Sequence, residues 1–306
     1  MNLKQFKYVL VLAREGSFSK AAEVLNISQP SLSQYVKKIE KEIGLDLFDR
    51  SGGYVRLTDA GQVYLDAGRR ILDIERQMVG KFSDINEYRT GTLTIGTSPF
   101  RSAGTMPAVA AAFQKKYPGI RLVIHEADTV SLIEGMEHGD FDLCLTMLPI
   151  DSNLFSCEKI AEEEMILAVP SDFPPLDAKE SLDALYPVVE LHQIQGQRFV
   201  ELTESQYMQR AFEKLCREHE ISVVSGVVVK SLEAQIEMVK AGVGMAFVPA
   251  DIASFCRRGE VRFYSFRESV PKREIVVIWK KGEALTSLES ELIALLKAQY
   301  ANCVKK

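Results

Sequence analysis

Apolar residues in the first 45 positions recur at helical spacing. Leu3, Phe6, Val9, Leu10 and Ala13 form one set, Phe18, Ala21, Ala22 and Leu25 a second, and Leu32, Tyr35, Val36, Ile39 and Ile43 a third. Each set follows the i, i+3, i+4, i+7 pattern of a half-buried helix, so three helices are expected. Ser28 suits an N-cap for the third, Pro30 falls in its first turn, and Gly44 can stop it. Asn26 tolerates the left-handed region and can turn the chain between helices two and three. A hairpin from Leu47 to Leu57 follows, with turn residues Ser51-Gly52-Gly53.

From Leu57 the apolar period changes to seven. One register reads Leu57, Tyr64, Ile71, Met78, Ile85; the other reads Ala60, Ala67, Ile74, Lys81, Tyr88, and only Lys81 breaks the pattern. Four heptads predict one long helix, capped by Thr58 and running to about Tyr88, that packs along a partner helix through Tyr64, Ile71, Ile74, Met78 and Ile85. The plainer reading is an amphipathic helix lying on its own domain. Arg89-Thr90-Gly91 then starts a hinge.

Beyond Gly91, strand and helix patterns alternate. Leu93–Gly96, Arg121–His125, Leu143–Met147, Met165–Val169, Val188–Leu191, Val224–Val229, Met245–Val248 and Ile275–Trp279 read as strands. Helices are expected at Met106–Lys116, Ser131–His138, Ser205–Glu218 and Ser231–Ala241. The alternation predicts α/β lobes with parallel strands, and the chain as a whole is α+β. The expected domains are 1–58, a head of three helices and a hairpin; 59–90, a linker helix; and 91–306, a body of α/β lobes. Lobe I is placed at about 91–162 and 269–306, and lobe II at about 163–268.

The outward face of helix three carries the first chemistry. Gln29, Ser31, Ser33, Gln34, Lys37 and Lys41 present amides, hydroxyls and ammonium groups, with no acid before Glu40. Glutamine can bond adenine through two atoms, serine several base edges, and lysine neutralises phosphate. Such residues usually form an ordinary solvated face. The short preceding helix, tight turn and basic hairpin favour DNA instead, with Arg50 and Arg56 flanking the hairpin turn as backbone or minor-groove contacts. The bland alternative for the hairpin is scattered surface charge. The DNA-contacting set is therefore Ser28, Gln29, Pro30, Ser31, Ser33, Gln34, Lys37, Arg50 and Arg56.

Charge is placed to match. The net charge is −5, yet residues 1–56 hold nine Lys and Arg against six Asp and Glu, which is +3 and leaves −8 for the rest. A +3 module is modest and would rely on pairing in a dimer. No signal peptide and no membrane-length apolar run is present, and five cysteines without tight spacing suggest reduced thiols, so a cytoplasmic protein is expected.

Residues 1 to 65 closely resemble the winged helix-turn-helix domain of LysR-type transcriptional regulators. The matching residues include Leu3, Phe6, Ser17, Phe18, Ala21, Ala22, Leu25, Ser28, Gln29, Ser31, Leu32, Ser33, Ile39, Glu40, Gly44, Leu47, Phe48, Arg50, Leu57, Thr58 and Gly61. Gly52 and Gly53 depart from a family pattern that often has another basic residue at the hairpin tip. The body resembles the family less densely, through Gly91-Thr-Leu-Thr-Ile-Gly96, Met106-Pro107, Phe113 with Tyr117-Pro118, Gly139-Asp-Phe-Asp-Leu143 and the run from Val239 to Pro249. The resemblance implies a linker-helix dimer, further assembly to a tetramer, contact with RNA polymerase, and a body similar to a periplasmic binding protein. The chain would cross between its lobes near Glu162–Glu164 and Phe263–Ser269.

Ligands of open α/β sheets sit beyond the carboxyl ends of strands. Together with the resemblance, this nominates Thr97, Ser98, Pro99, Phe100, Arg101, Ser102, Thr129, Thr146, Phe199, Thr203 and Ser205 as effector contacts. Arg101 is expected as the charge partner of an anionic metabolite, unless it points outward or pairs with Glu126 or Asp128. Phe100 and Phe199 are expected as apolar walls. For any one hydroxyl, a helix cap is the equal alternative. No cofactor, metal site or catalytic group is expected. Gly242-Val-Gly-Met-Ala-Phe247 resembles a dinucleotide fingerprint but follows a helix and enters a strand, so it reads as a helix C-cap. The four histidines are scattered, and Glu162, Glu163 and Glu164 read as a solvated hinge. Some family members sense peroxide through a cysteine pair in the second lobe, and residues 199–208 contain no cysteine. Two classes remain: a non-enzymatic, ligand-controlled regulator of transcription, and a helix-turn-helix protein with a solute-binding or catalytic C-terminal domain.

Overall fold

The computed structural model describes residues 2–50, 55–85, 90–204, 206–270 and 272–303. They divide into two compact units, Met1–Thr90 and Gly91–Lys306.

The head begins with α1 (Leu3–Glu15), α2 (Phe18–Val24) and α3 (Gln29–Ile43). Asn2 and Gln5 cap α1 reciprocally, each side chain meeting the other's backbone N–H, which satisfies two of the free donors at the helix start. Asn26 takes φ 53° between α2 and α3, and Gly44 takes φ 79° at the end of α3. The Ser28 hydroxyl accepts from Ser31 N–H at 3.3 Å. Leu12, Leu32, Val36 and Ile39, each at most 1 % exposed, form the centre of the head core. Strands β1 (Phe48–Asp49) and β2 (Arg56–Leu57) pair antiparallel, and the turn residues Ser51, Gly52 and Gly53 lie outside the described residues. The long α4 (Asp59–Ile85) starts where Thr58 Oγ1 accepts from Gly61 N–H.

The body holds two sheets of different make-up. The first has the order β4-β3-β5-β13-β6. Its strands are β3 (Gly91–Thr97), β4 (Ile120–Glu126), β5 (Leu143–Met147), β6 (Phe155–Glu163) and β13 (Arg273–Lys280). Helices α5 (Pro99–Gly104), α6 (Met106–Lys116), α7 (Thr129–His138) and the C-terminal α10 (Ser287–Cys303) belong with it. β3, β4 and β5 run parallel, whereas β13 is antiparallel to both β5 and β6. The purely parallel lobe expected from the alternation is therefore mixed.

The second sheet has the order β11-β7-β12-β8, from β7 (Met165–Pro170), β8 (Val188–Val189), β11 (Ala246–Pro249) and β12 (Val261–Phe266). A parallel pair, β9 (Arg198–Leu202) with β10 (Val224–Val229), joins it through a bridge between Phe199 and Met245. Helices α8 (Tyr207–Glu218) and α9 (Leu232–Lys240) accompany this sheet. The chain passes between the two sheets at Glu164 and again after Phe266. β7 is buried along its whole length, the mark of a central strand covered on both faces.

Three strands escaped the sequence pattern. β6 carries lysine and glutamates on its open face, and β9 lies in a stretch where no strand was expected. β12 spans part of the segment expected as the second crossing, so that crossing falls a few residues later. Gly242 does cap α9, with φ 79° and its N–H donating to Val239 O.

Candidate functional site

In the head, α3 presents Gln29, Pro30, Ser31, Gln34, Lys37 and Lys41 as exposed residues, with Ser33 half-buried. Leu32, Val36 and Ile39 turn the opposite way into the core, so one helix carries both packing and a continuous polar face. Ser28 and Ser31 hydroxyls lie 2.7 Å apart at the N-terminus of α3. Arg56 is exposed on β2.

Arg50 sits differently from expectation. Its Nη2 donates to Glu40 Oε2 at 2.6 Å, and its guanidinium carbon lies 5.1 Å from the Phe18 ring centre. Glu40 is buried and also accepts from the N–H groups of Leu47 and Phe48, at 3.1 and 3.2 Å. Arg50 thus clamps the hairpin to α3 and α2, and only one third of its side chain remains exposed.

On α4, Tyr64 is also accounted for within the head. It is 9 % exposed and stacks on Phe6 with ring centres 5.0 Å apart. The first heptad therefore packs on α1 rather than on a partner, because α4 begins against the head core. Ile71, Ile74 and Met78 are 38, 64 and 49 % exposed, an apolar stripe left uncovered in the single chain. The Ile85 side chain lies outside the described residues.

In the body, the nominated effector residues separate into reachable and buried groups. Ser98 follows β3 and accepts from Arg101 N–H; Pro99 is exposed, and Ser102 Oγ donates to Glu126 at 2.7 Å. Thr129 is exposed in the first turn of α7, whose N-cap is Asp128. The in-register parallel pairing of β3 with β4 and β5 places these loops at one end of the first sheet. Thr203 follows β9 in the second sheet and is half-buried. Ser205 lies outside the described residues.

Five nominated residues are turned inward. Thr97 is fully buried and donates to Leu145 O, and Thr146 is buried on the central β5. Phe199 stacks on Phe212 at 4.8 Å inside the second-lobe core. Phe100 packs among Ile166, Ile236, Val248 and Ile252, and stacks on Phe255 at 5.2 Å. Neither phenylalanine is a cleft wall. An apolar ring next to a polar loop goes to the core because about 25 cal/mol per Å² favours its burial.

Arg101 is 4 % exposed. It meets neither Glu126 nor Asp128 but lies 3.5 Å from Glu163 Oε2, which is also bonded by Arg273 Nη2. Glu163, expected in a solvated hinge, is 3 % exposed, since strand alternation turns Glu162 outward and Glu163 inward. At that depth Arg101 is out of reach from the loop surface, although its Nε and Nη2 make no hydrogen bond among the described residues.

The model for the bacterial regulatory helix-turn-helix protein of the lysR family matches residues 3–62, and that for the LysR substrate binding domain matches residues 86–301. The chain belongs to the LysR family. YcgK of Bacillus subtilis, an uncharacterised helix-turn-helix transcriptional regulator, is 29 % identical over 92 % of this chain and 90 % of its own. A hydrogen peroxide-inducible genes activator of Escherichia coli is 25 % identical, covering 98 % of this chain and 96 % of its own. Full-length CbnR in complex with its target DNA shares the fold, with TM-score 0.61, 20 % identity and coverage of 98 % of this chain and all of CbnR. LysR proteins are regulators of transcription with a DNA-binding head and a small-molecule effector domain, and that places this chain's function.

In this LysR regulator, one polar group at the strand ends was missed from the sequence. Lys230 is exposed where β10 ends, and its backbone carbonyl accepts from Gln206 Nε2 at 2.6 Å. Its charge reaches Asp128 on the other lobe: Asp128 is held below the usual carboxylate range first by the Ser131 amide and, among lesser causes, by Lys230. Lys230 therefore lies near enough to the Asp128–Thr129 loop for its charge to be felt there. The sequence signal was slight, a lysine between a valine-rich strand and the α9 N-cap Ser231. Two buried thiols offer little peroxide chemistry. Burial pushes Cys144 up to about 12 and Cys216 up to about 11, so the reactive thiolates are suppressed. No helix among the described residues is long and apolar enough to cross a membrane.

Proposed function

We propose that this LysR regulator reads operator DNA with Gln29, Ser33 and Gln34 of α3, holds phosphates with Lys37 and Arg56, and answers to a small anionic metabolite bound between its lobes. Two copies pair through Ile71, Ile74 and Met78, with further assembly through the bodies. The metabolite meets the hydroxyls of Ser98, Thr129 and Thr203 and the ammonium of Lys230, which takes the anchoring role first given to Arg101. The observation that carries the DNA reading is the exposed, acid-free polar face of α3 up to Glu40, on a helix whose other face is locked into the head core. The cleft reading is supported by the accessible hydroxyls at the strand ends and by the exposed Lys230, whose charge is felt at Asp128. A ligand shifts such a protein only by its differential affinity for two lobe arrangements.

The test is footprinting on the DNA upstream of the protein's own gene against scrambled DNA, followed by a thermal-shift screen of anionic metabolites. Specific protection, altered by one such metabolite, is the expected result. Equal affinity for both DNAs overturns the DNA reading. A metabolite that binds equally well to a Lys230→Ala protein overturns the cleft reading alone.

A further inference from the structure

Four charged side chains from four separate elements meet where the chain passes between its two lobes. Arg101 comes from α5, Glu163 from the end of β6, Arg273 from the start of β13, and Asp251 from the 3-10 turn Ala250–Phe255 that follows β11. Tyr300 of α10 stands beside Arg101, and its hydroxyl oxygen lies 3.3 Å from Thr105 Oγ1. Cys144 of β5 and Tyr186, ahead of β8, are the other titratable groups that feel the cluster. Arg101, Glu163 and Arg273 are each at most 4 % exposed.

Three of these groups and the helix α5 belong with the first sheet, and Asp251 with the second. The same contact is made by apolar groups: Phe100 of α5 stacks on Phe255 of the turn, and a Cβ on Gly104 would stand 3.0 Å from that ring. The cluster is thus the polar half of the seam that holds the lobes together at their crossing.

We propose that Asp251 and Glu163 share one proton and that this proton latches the second lobe to α5, so that its loss to water loosens the two lobes. Glu163 Oε1 is buried and accepts no hydrogen bond from any fixed donor. Ala250 N–H donates to Glu164 O at 2.9 Å, which ties the 3-10 turn to the strand end that carries Glu163, and the carboxyl of Asp251, the next residue of that turn, is the one that acts on Glu163. Two ionised carboxylates are acceptors only, so the contact between them becomes a hydrogen bond only when one is protonated. Repulsion between the two adds to the cost of ionising both in a buried place. Burial, reinforced by the Glu163 charge and resisted by Arg101 and Arg273, pushes the Asp251 carboxyl up to about 7.

The sign follows from linkage. A carboxyl raised in the closed arrangement favours that arrangement while it is protonated. The advantage is complete below the ordinary aspartate range and is lost as the pH climbs to about 7. With an open-state value of 3.8, the open fraction grows about tenfold between roughly pH 6 and pH 8. The latch does not depend on which ligand fills the cleft, and it would make the effector response sensitive to acidity.

Hydrogen exchange on the full-length protein tests this. Opening of α5 and the 250–255 turn, after correction for intrinsic exchange, is expected to rise about tenfold from about pH 6 to about pH 8. Asp251→Asn keeps the shape and donates to Glu163 at every pH, so its opening is expected to be flat. A flat wild-type profile, or an Asp251→Asn protein that keeps the tenfold rise, overturns the proposal. If that variant does not fold, the wild type alone decides by infrared spectroscopy. A buried protonated-carboxyl stretch at about pH 6 that vanishes by about pH 8 supports the latch, and its absence at the lower pH overturns it.

Discussion

Glu40→Gln removes the charge from the carboxylate that orders the hairpin of the head. Three donors converge on it: Leu47 N–H and Phe48 N–H on one oxygen, and Arg50 Nη2 at 2.6 Å on the other. Glutamine keeps the volume and one acceptor oxygen, but it turns an NH2 toward the guanidinium. Hydrogen bonds to charged groups contribute about 1.5–3 kcal/mol each. Arg50 is one third exposed, so its share is discounted, and a net loss of about 2 kcal/mol is expected. That corresponds to roughly a thirtyfold fall in the equilibrium protection of the Leu47 and Phe48 amides, read by hydrogen exchange. Arg50→Ala should give a smaller fall at the same two amides and leave the salt slope of DNA binding unchanged. If Arg50→Ala instead lowers that slope by about one while leaving the amides protected, Arg50 is a phosphate contact and the clamp is wrong.

Gln29→Ala should cost about 1–3 kcal/mol on the cognate site and little on random DNA in a competition gel shift, while Lys37→Ala should weaken both and flatten the salt dependence. Ile74→Glu would bury an unpaired carboxylate at more than about 3 kcal/mol, so the linker pairing should split and sedimentation should show a smaller assembly than the wild type. Lys230→Ala should weaken an anionic effector about 10- to 100-fold by calorimetry with the melting temperature unchanged, as expected for one charge-assisted bond. Arg101→Ala should act first on stability: it strips one of two arginines from buried Glu163, and because Arg273 remains the cost is at the low end for a buried pair, about 3 kcal/mol, lowering the melting temperature of the body by roughly 6–12 °C.

The head was legible because its signals are local. Ser28, Asn26, Gly44 and Thr58 act within a few residues of their own positions, and the apolar period that names each helix also names its buried face. The body was legible only in its central strands. β6, with Glu158, Lys159 and Glu162 among its residues, has the composition of a loop, and only its neighbour β13 makes it a strand. Direction was the other loss. Sequence places Phe100 and Arg101 after β3 but cannot say that α5 turns both inward, because that depends on Phe255, Glu163 and Arg273 far along the chain. Tyr64 shows the same limit, since a heptad does not reveal whether its first turn meets a partner or Phe6. Lys230 was invisible because only the fold brings it near Asp128.

The six residues of α5 join two tasks. Ser98 caps the helix at the strand ends, while Phe100 and Arg101 fasten it to groups around the lobe crossing. A ligand bonded to Ser98 therefore pulls on the same short rod that seats Phe100 against Phe255. By reciprocity, if the ligand shifts that seating by some factor, moving the seating from one arrangement to the other changes ligand affinity by that factor. Side chains such as Phe255, which touch no ligand, become places where affinity can be tuned up or down without altering the chemistry of recognition. Variation at this seam could thus give one cleft different thresholds in different regulators.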